Sequence, residues 1–278
     1  MRHLIIFLVF ITSQATAQVP ALYNHASNDV RTIHSKLLNQ EREIYIHVPK
    51  RDSADLSKSF PVLYLLDGEN HFHIMSDYID YLSHWKIIPS TIVVGIVSID
   101  RRKDLTPTKS IIDFDGNVDS SYKTTGGNEQ FLQFMQKELM PYIEANYKTA
   151  PYKIFAGHSL GGLTAINCML TQPNMFDAYI AISPSLWWDK KYMLQLTEKK
   201  LPGLSLASKK LFYSNGDEDG SFHNDLLKFD TLIEAGKLKG FEHKYTYYPN
   251  ESHMSEPIPA YYDALRFIYK DWKYDSIK

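Results

Sequence analysis

The chain has 278 residues, of which 44% are apolar and 22% charged, and its formal net charge is −2. That length and balance suit one large globular core. With no long basic block, neither nucleic-acid binding nor electrostatic attachment to a membrane has support.

The N-terminus has its own character. A short basic start, Met1-Arg2-His3, is followed by an apolar run over residues 4–11 and by Ala15-Thr16-Ala17, which has the form of a cleavage site. This predicts a secretory signal peptide over residues 1–17, cut before Gln18, and one mature domain over 18–278. The run is too short to cross a bilayer as a helix, so no stable membrane anchor is expected after cleavage. The mature protein is expected in the periplasm or outside the cell. The single cysteine, Cys168, rules out an internal disulfide and reads as a small buried core residue.

Residues 30–37 and 41–48 read as antiparallel strands joined by Leu38-Asn39-Gln40, with Ile44, Ile46 and Val48 marking one buried face. Residues 61–66 form a continuous apolar strand that ends at Asp67-Gly68. A helix is expected over 72–85 and a further buried strand within 87–97. Residues 100–107 then read as a long charged surface loop. Phe131, Phe134, Met135, Leu139 and Tyr142 recur at helical spacing within 127–147, and Pro141 should kink that helix or end its first part.

Gly157-His158-Ser159-Leu160-Gly161-Gly162 stands between an apolar strand at 152–156 and an apolar helix at 163–170. A serine raised above a strand end needs a tight turn whose flanking backbone comes close to its neighbours, and Gly157 and Gly161 relieve that crowding. The helix that follows points its free N–H groups at the same place, so Leu160 N–H can receive an oxyanion. Beyond it come strands at 178–182, 210–214 and 242–248, a Ser183-Pro184-Ser185-Leu186-Trp187-Trp188 loop, and helices at 222–235 and 257–272. Alternating strands and helices predict an α/β protein: a mostly parallel central sheet with helices on both faces, and chemistry at the carboxyl ends of the strands.

A serine hydroxyl needs a base, and the base needs a group to orient it. Three histidines follow Ser159: His223, His243 and His253. His253 sits in the loop just past the last strand and is favoured over the other two. The acid is expected in Asn215-Gly216-Asp217-Glu218-Asp219-Gly220, where three carboxylates compete. A second oxyanion donor should follow the residue 61–66 strand, at Glu69 N–H. The His71 and His73 pair lacks the cysteine or acidic partners of a metal site, so no metal is expected.

Together these stretches resemble the α/β-hydrolase family of serine esterases that includes enterochelin and other siderophore esterases, feruloyl esterases and S-formylglutathione hydrolase. The resemblance rests on six ordered signatures: residues 61–68, the loop at 101–107, Gly126-Gly127 with the helix after it, 157–162, 183–188, and Glu251-Ser252-His253. It implies an α/β-hydrolase fold, Asp219 as the acid, Glu69 and Leu160 as oxyanion donors, and no metal or organic cofactor. It also implies a small-molecule ester as the partner, cleaved by Ser159 with His253 as base. Arg101, Arg102, Trp187 and Trp188 would suit an anionic aromatic acyl group such as that of a siderophore trilactone. A feruloyl or acetyl esterase of acylated carbohydrates, an acyltransferase, and a non-catalytic binding protein on the same fold are the alternatives.

Overall fold

The computed structural model describes residues 27–50, 58–218 and 220–274. The signal-peptide segment and Asp219 lie outside the described residues. An antiparallel hairpin, β1 (Ser27–Ser35) and β2 (Gln40–Val48), turns at Asn39, whose φ is 53°. There follow β3 (Phe60–Leu66), α1 (Gly68–His84), β4 (Ile92–Ile96), α2 (Arg101–Leu105), α3 (Asn128–Phe134), α4 (Met140–Asn146), β5 (Thr149–His158) and α5 (Leu160–Thr171). The chain continues through β6 (Ala178–Ile182), α6 (Trp188–Lys200), β7 (Lys210–Gly216), α7 (Gly220–Gly236), β8 (Glu242–Tyr248) and α8 (Pro257–Ile268).

The eight strands form one sheet in the order β1-β2-β4-β3-β5-β6-β7-β8. From β4 to β8 every pairing is parallel, and only the β1 and β2 edge is antiparallel. Strand alternation divides the core. Val62, Tyr64 and Leu66 face a cluster with Phe131, Ile166, Leu194 and Phe229, covered by α3 to α7. Leu63 and Leu65 face the other side, against Phe72, Met75 and Ile79 of α1 and Ala264 and Leu265 of α8. Such side chains contribute roughly 1.5–3 kcal/mol each when fully buried. This is the mostly parallel sheet with helices on both faces that the strand and helix alternation predicts, and the α/β-hydrolase architecture that the resemblance implies.

Local departures have local causes. Residues 100–107 are not an open loop. Asp100 Oδ1 accepts from Lys103 N at 3.1 Å, an N-cap that starts α2, and Arg42 Nη1 donates to the buried Asp104 Oδ2 at 2.7 Å. Pro141, with no N–H, lies in the first turn of α4, just after a π-helical turn at Met135–Leu139. The sequence reading missed α6 because its apolar stripe is thin; Met193, Leu194, Leu196 and Thr197 are nonetheless buried.

Candidate active site

Ser159 occupies the turn between β5 and α5 with φ 60° and ψ −117°. A positive φ on a residue with a side chain costs about 1–3 kcal/mol and persists only where neighbours over-determine it. Here Ser159 N donates to Ile182 O at 2.9 Å, while Ser159 O accepts from Leu163 N at 3.0 Å and Ser185 N at 3.1 Å. A Cβ on Gly157 would lie 2.4 Å from the Gly161 carbonyl carbon, so β5 can pass the start of α5 only as glycine at that position. At Gly161 the nearest contacts would be ordinary, 3.4 Å and beyond, so the crowding falls on Gly157. The Ser159 hydroxyl rests 3.2 Å from Ser185 Oγ.

His253 follows β8 in the loop before α8. Its Nδ1 lies 3.0 Å from Glu218 Oε1, in the loop after β7, and the Glu218 side chain is only 6% exposed. Gly216 makes that meeting possible, because a Cβ there would stand 2.3 Å from Glu251 O. The other acids of the loop divide. Asp217 is exposed and accepts from Tyr247 OH at 3.1 Å, whereas Asp219, the acid expected from the family pattern, is not among the described residues. The remaining histidines are held elsewhere. His223 Nδ1 is 3.1 Å from Asn215 Nδ2, and His243 Nε2 is 3.8 Å from Glu234.

The His253 ring lies 4.5 Å from that of His158, the residue before Ser159, so the β8 loop reaches the elbow. His158 is buried and its Nε2 has no hydrogen-bond partner among the described residues. Burial first, and then the neighbouring His253, His71 and Arg101, push its pKa down to about 2. It is therefore a neutral ring that packs the site. His71, expected to hold no metal, packs at 5.5 Å on His158 and 5.6 Å on Tyr261. Among the described residues no group of three or more His, Cys, Asp or Glu side chains is placed to hold a metal.

Both expected oxyanion donors open helices. Leu160 is the first residue of α5 and Glu69 the second of α1, where backbone N–H groups have no partner within the helix. Asp67, with φ 54°, turns the chain into α1, and its carbonyl accepts from Asn70 N at 2.9 Å and His71 N at 3.1 Å.

Arg101 has a different setting from the one its position suggested. Its Nε and Nη2 donate to the two carboxylate oxygens of the buried Asp67 at 2.7 and 2.8 Å, and Nη2 also reaches His158 O at 3.3 Å. Arg101 thus ties the turn before Glu69 to the elbow, with the Nε and Nη2 edge of its guanidinium already engaged. Trp188 is a second correction. It is fully buried, stacks on Tyr122 at 5.7 Å and donates Nε1–H to Thr108 Oγ1 at 3.0 Å, so it cannot touch substrate. Arg102 is part-exposed with its guanidinium carbon 4.1 Å from the centre of the Tyr122 ring. Trp187 is half-buried and joins two rings that the sequence did not single out. Phe114 lies 6.1 Å and Phe222 6.4 Å from it, and Phe222 lies 6.3 Å from His253. Phe114 comes from a small excursion closed by an Ile112–Val118 bridge, with Gly116 at φ 85°. No apolar period marks it in advance.

Among relatives, the chain is 32% identical over 184 residues to a ferri-bacillibactin esterase of Bacillus subtilis, covering 61% of this chain and 62% of that protein. It is 32% identical over 174 residues to a siderophore enterobactin esterase of Emericella nidulans, covering 56% of this chain and 57% of that one. The matches thus span about six-tenths of these relatives' own length. An IroE-like serine hydrolase from Shewanella oneidensis superposes with a TM-score of 0.85 at 33% identity, covering 90% of this chain and 82% of that one. The family model described as "Putative esterase" matches residues 35–257, most of the chain, and by that match the protein belongs to this esterase family.

Proposed function

We propose that the protein is a serine esterase that cleaves carboxylic esters through an acyl-enzyme. The observation that most supports this reading is the His253–Glu218 contact in the loop after β8, with the His253 ring 4.5 Å from that of His158, the residue before Ser159. With Nδ1 turned to Glu218, the nitrogen left for the nucleophile is Nε2. Ser159 Oγ would leave Ser185 by rotation about χ1, lose its proton to Nε2 and attack the ester carbonyl. The oxyanion would be received by Leu160 N–H and Glu69 N–H, the imidazolium would protonate the leaving alcohol, and water would then release the acyl group by the same steps. Glu218 is the carboxylate in place to hold the imidazole, and Asp219 is the competing assignment from family spacing.

The substrate we favour carries a planar aromatic acyl group. The Phe222 ring stands 6.3 Å from that of His253 and clusters with Trp187 and with Phe114, which is 60% exposed. The relatives named as siderophore esterases make a catecholate ester the first candidate. A feruloyl ester of a carbohydrate presents the same flat ring and is the second. Residues 1–17 are proposed to direct export and to be removed; among the described residues no helix is long and apolar enough to cross a membrane.

The test uses the protein beginning at Gln18. Labelling by a fluorophosphonate at Ser159, with turnover of p-nitrophenyl acetate, is the expected result. Kinetics on a catecholate trilactone and a feruloyl sugar then rank the two acyl classes. An unlabelled, inactive but folded protein would leave the binding-protein alternative.

A further inference from the structure

Ser183, in the loop after β6, places one hydroxyl between two carboxyl groups. Its Oγ is in hydrogen-bond contact with Glu218 Oε1 and with Glu256 Oε2. Glu218 Oε1 is also the atom facing His253 Nδ1. A serine hydroxyl has a single proton to donate, so it can serve only one carboxylate as donor. The second contact needs a proton that the other carboxyl supplies.

Glu218 has two donors, Ser183 O–H and His253 Nδ1–H, and both favour its charge. Glu256 is fully enclosed, and its Oε1 has no hydrogen-bond partner among the described residues. An ionised carboxylate in that setting would be costly. We propose that Glu256 is a positioning residue, held as a neutral carboxylic acid that donates to Ser183 Oγ, so that the Ser183 hydroxyl is committed to Glu218 and Glu218 to His253. The chain then reads Glu256 O–H to Ser183 Oγ, Ser183 O–H to Glu218 Oε1, and His253 Nδ1–H to the same oxygen. Every proton has one acceptor.

The surroundings agree. Burial, and next the neighbouring Glu218, raise the Glu256 pKa to about 7, against the lowering influence of Ser183, Ser214 and His253. The other titratable groups that interact with it are phenols: Tyr245 and Tyr248 of β8 and Tyr261 of α8. Deprotonation of Glu256 would put a second negative charge behind Glu218.

The kinetic part of the test rests on the esterase reading; the spectroscopic part does not. Infrared difference spectra of wild type against Glu256→Gln at about pH 6 should show a protonated-carboxyl C=O band that the variant lacks, fading as the pH passes about 8. Absence of that band means an ionised Glu256 and overturns the proposal, whatever the activity. In turnover, Glu256→Ala should lower kcat about tenfold with KM held, and Glu256→Gln, which keeps a donor in the same place, should recover to within about threefold of wild type. The acid limb of kcat/KM should stay in place in Glu256→Gln, because the amide, like the neutral acid, puts no charge behind Glu218. If Glu256→Gln falls as far as Glu256→Ala, or moves the acid limb to lower pH by about half a unit or more, Glu256 does not act as a neutral donor that positions the pair. Should Glu256→Ala fail to fold, the band and the Glu256→Gln limb decide. A folded protein that shows the band but turns over no ester would remove the esterase reading and leave the proton on Glu256.

Discussion

Arg101→Ala should weaken the fold and slow every ester alike. The guanidinium makes a two-pronged contact with Asp67, whose side chain is 2% exposed, and reaches the His158 carbonyl as well. Removing one partner of an enclosed pair leaves the other charged and unsatisfied, at a cost of roughly 3–5 kcal/mol. The Arg101 side chain is itself 34% exposed, so water can partly replace it, and about 2–3 kcal/mol is the better expectation. For a domain of this size that is a fall in Tm of roughly 4–12 °C.

The same contact links the turn before Glu69 to the residue before Ser159, so its loss loosens both N–H groups expected to hold the oxyanion. Losing one such donor outright costs about 10²–10³ in kcat, and a displaced one should cost at least tenfold. Arg101→Lys keeps the charge but not the fork and should fall between wild type and alanine. Thermal melts and kinetics on p-nitrophenyl acetate and on a catecholate ester measure both effects. If Tm and kcat stay at wild type while KM rises for the anionic aromatic ester alone, Arg101 is a ligand contact and the strut is wrong.

Ser159→Ala should leave the fold intact and lower kcat by about 10³ or more, and adding His253→Ala should cost little further, since the two act together; full loss at His223→Ala with activity kept in His253→Ala would move the base. Glu218→Gln should reduce kcat more than Asp217→Asn, with Asp219→Asn as the deciding comparison, and a larger loss at Asp219 would return the acid to the family spacing. Phe114→Ala and Phe222→Ala should raise KM for feruloyl or catecholate esters by roughly two- to tenfold, the scale of one aromatic contact, and leave p-nitrophenyl acetate little changed; equal effects on both substrates would reduce these rings to scaffold. His158 remains neutral in the native state down to about pH 2, whereas an unfolded histidine gains its proton below about 6.5. The unfolded chain therefore binds the extra proton, and stability is lost as pH falls through 6.5, by about 1.4 kcal/mol per unit. Urea midpoints for wild type and His158→Gln should converge in slope above pH 7 and separate below 6, and parallel curves would remove this contribution.

The fold was legible because its signals are local. The apolar run of β3, the glycines around Ser159 and the alternation of strand and helix each follow from backbone sterics and burial within a few residues. The position of Ser159 and the loop that carries His253 were legible for the same reason: both follow strand ends, and a parallel sheet brings such ends to one rim. Side-chain pairing across that rim was not. Asp217, Glu218 and Asp219 are neighbours in sequence with the same chemistry, and only the approach of Glu251 over Gly216 turns Glu218 toward His253. Arg101 looks free until β3 and β5 lie side by side and bring Asp67 and His158 to its fork. Trp187 and Trp188 are consecutive, yet α6 begins between them and sends Trp188 into the core while Trp187 stays at the rim. Glu256, Ser183 and Glu218 are separated by up to 73 residues, and no spacing rule connects them; the packing of the β6, β7 and β8 ends against one another does. Sequence determined where the backbone turns and which faces are buried, since those depend on near neighbours. Tertiary structure decided which charges meet, since an ion pair or a shared proton depends on distances of a few ångström between strands far apart in the chain.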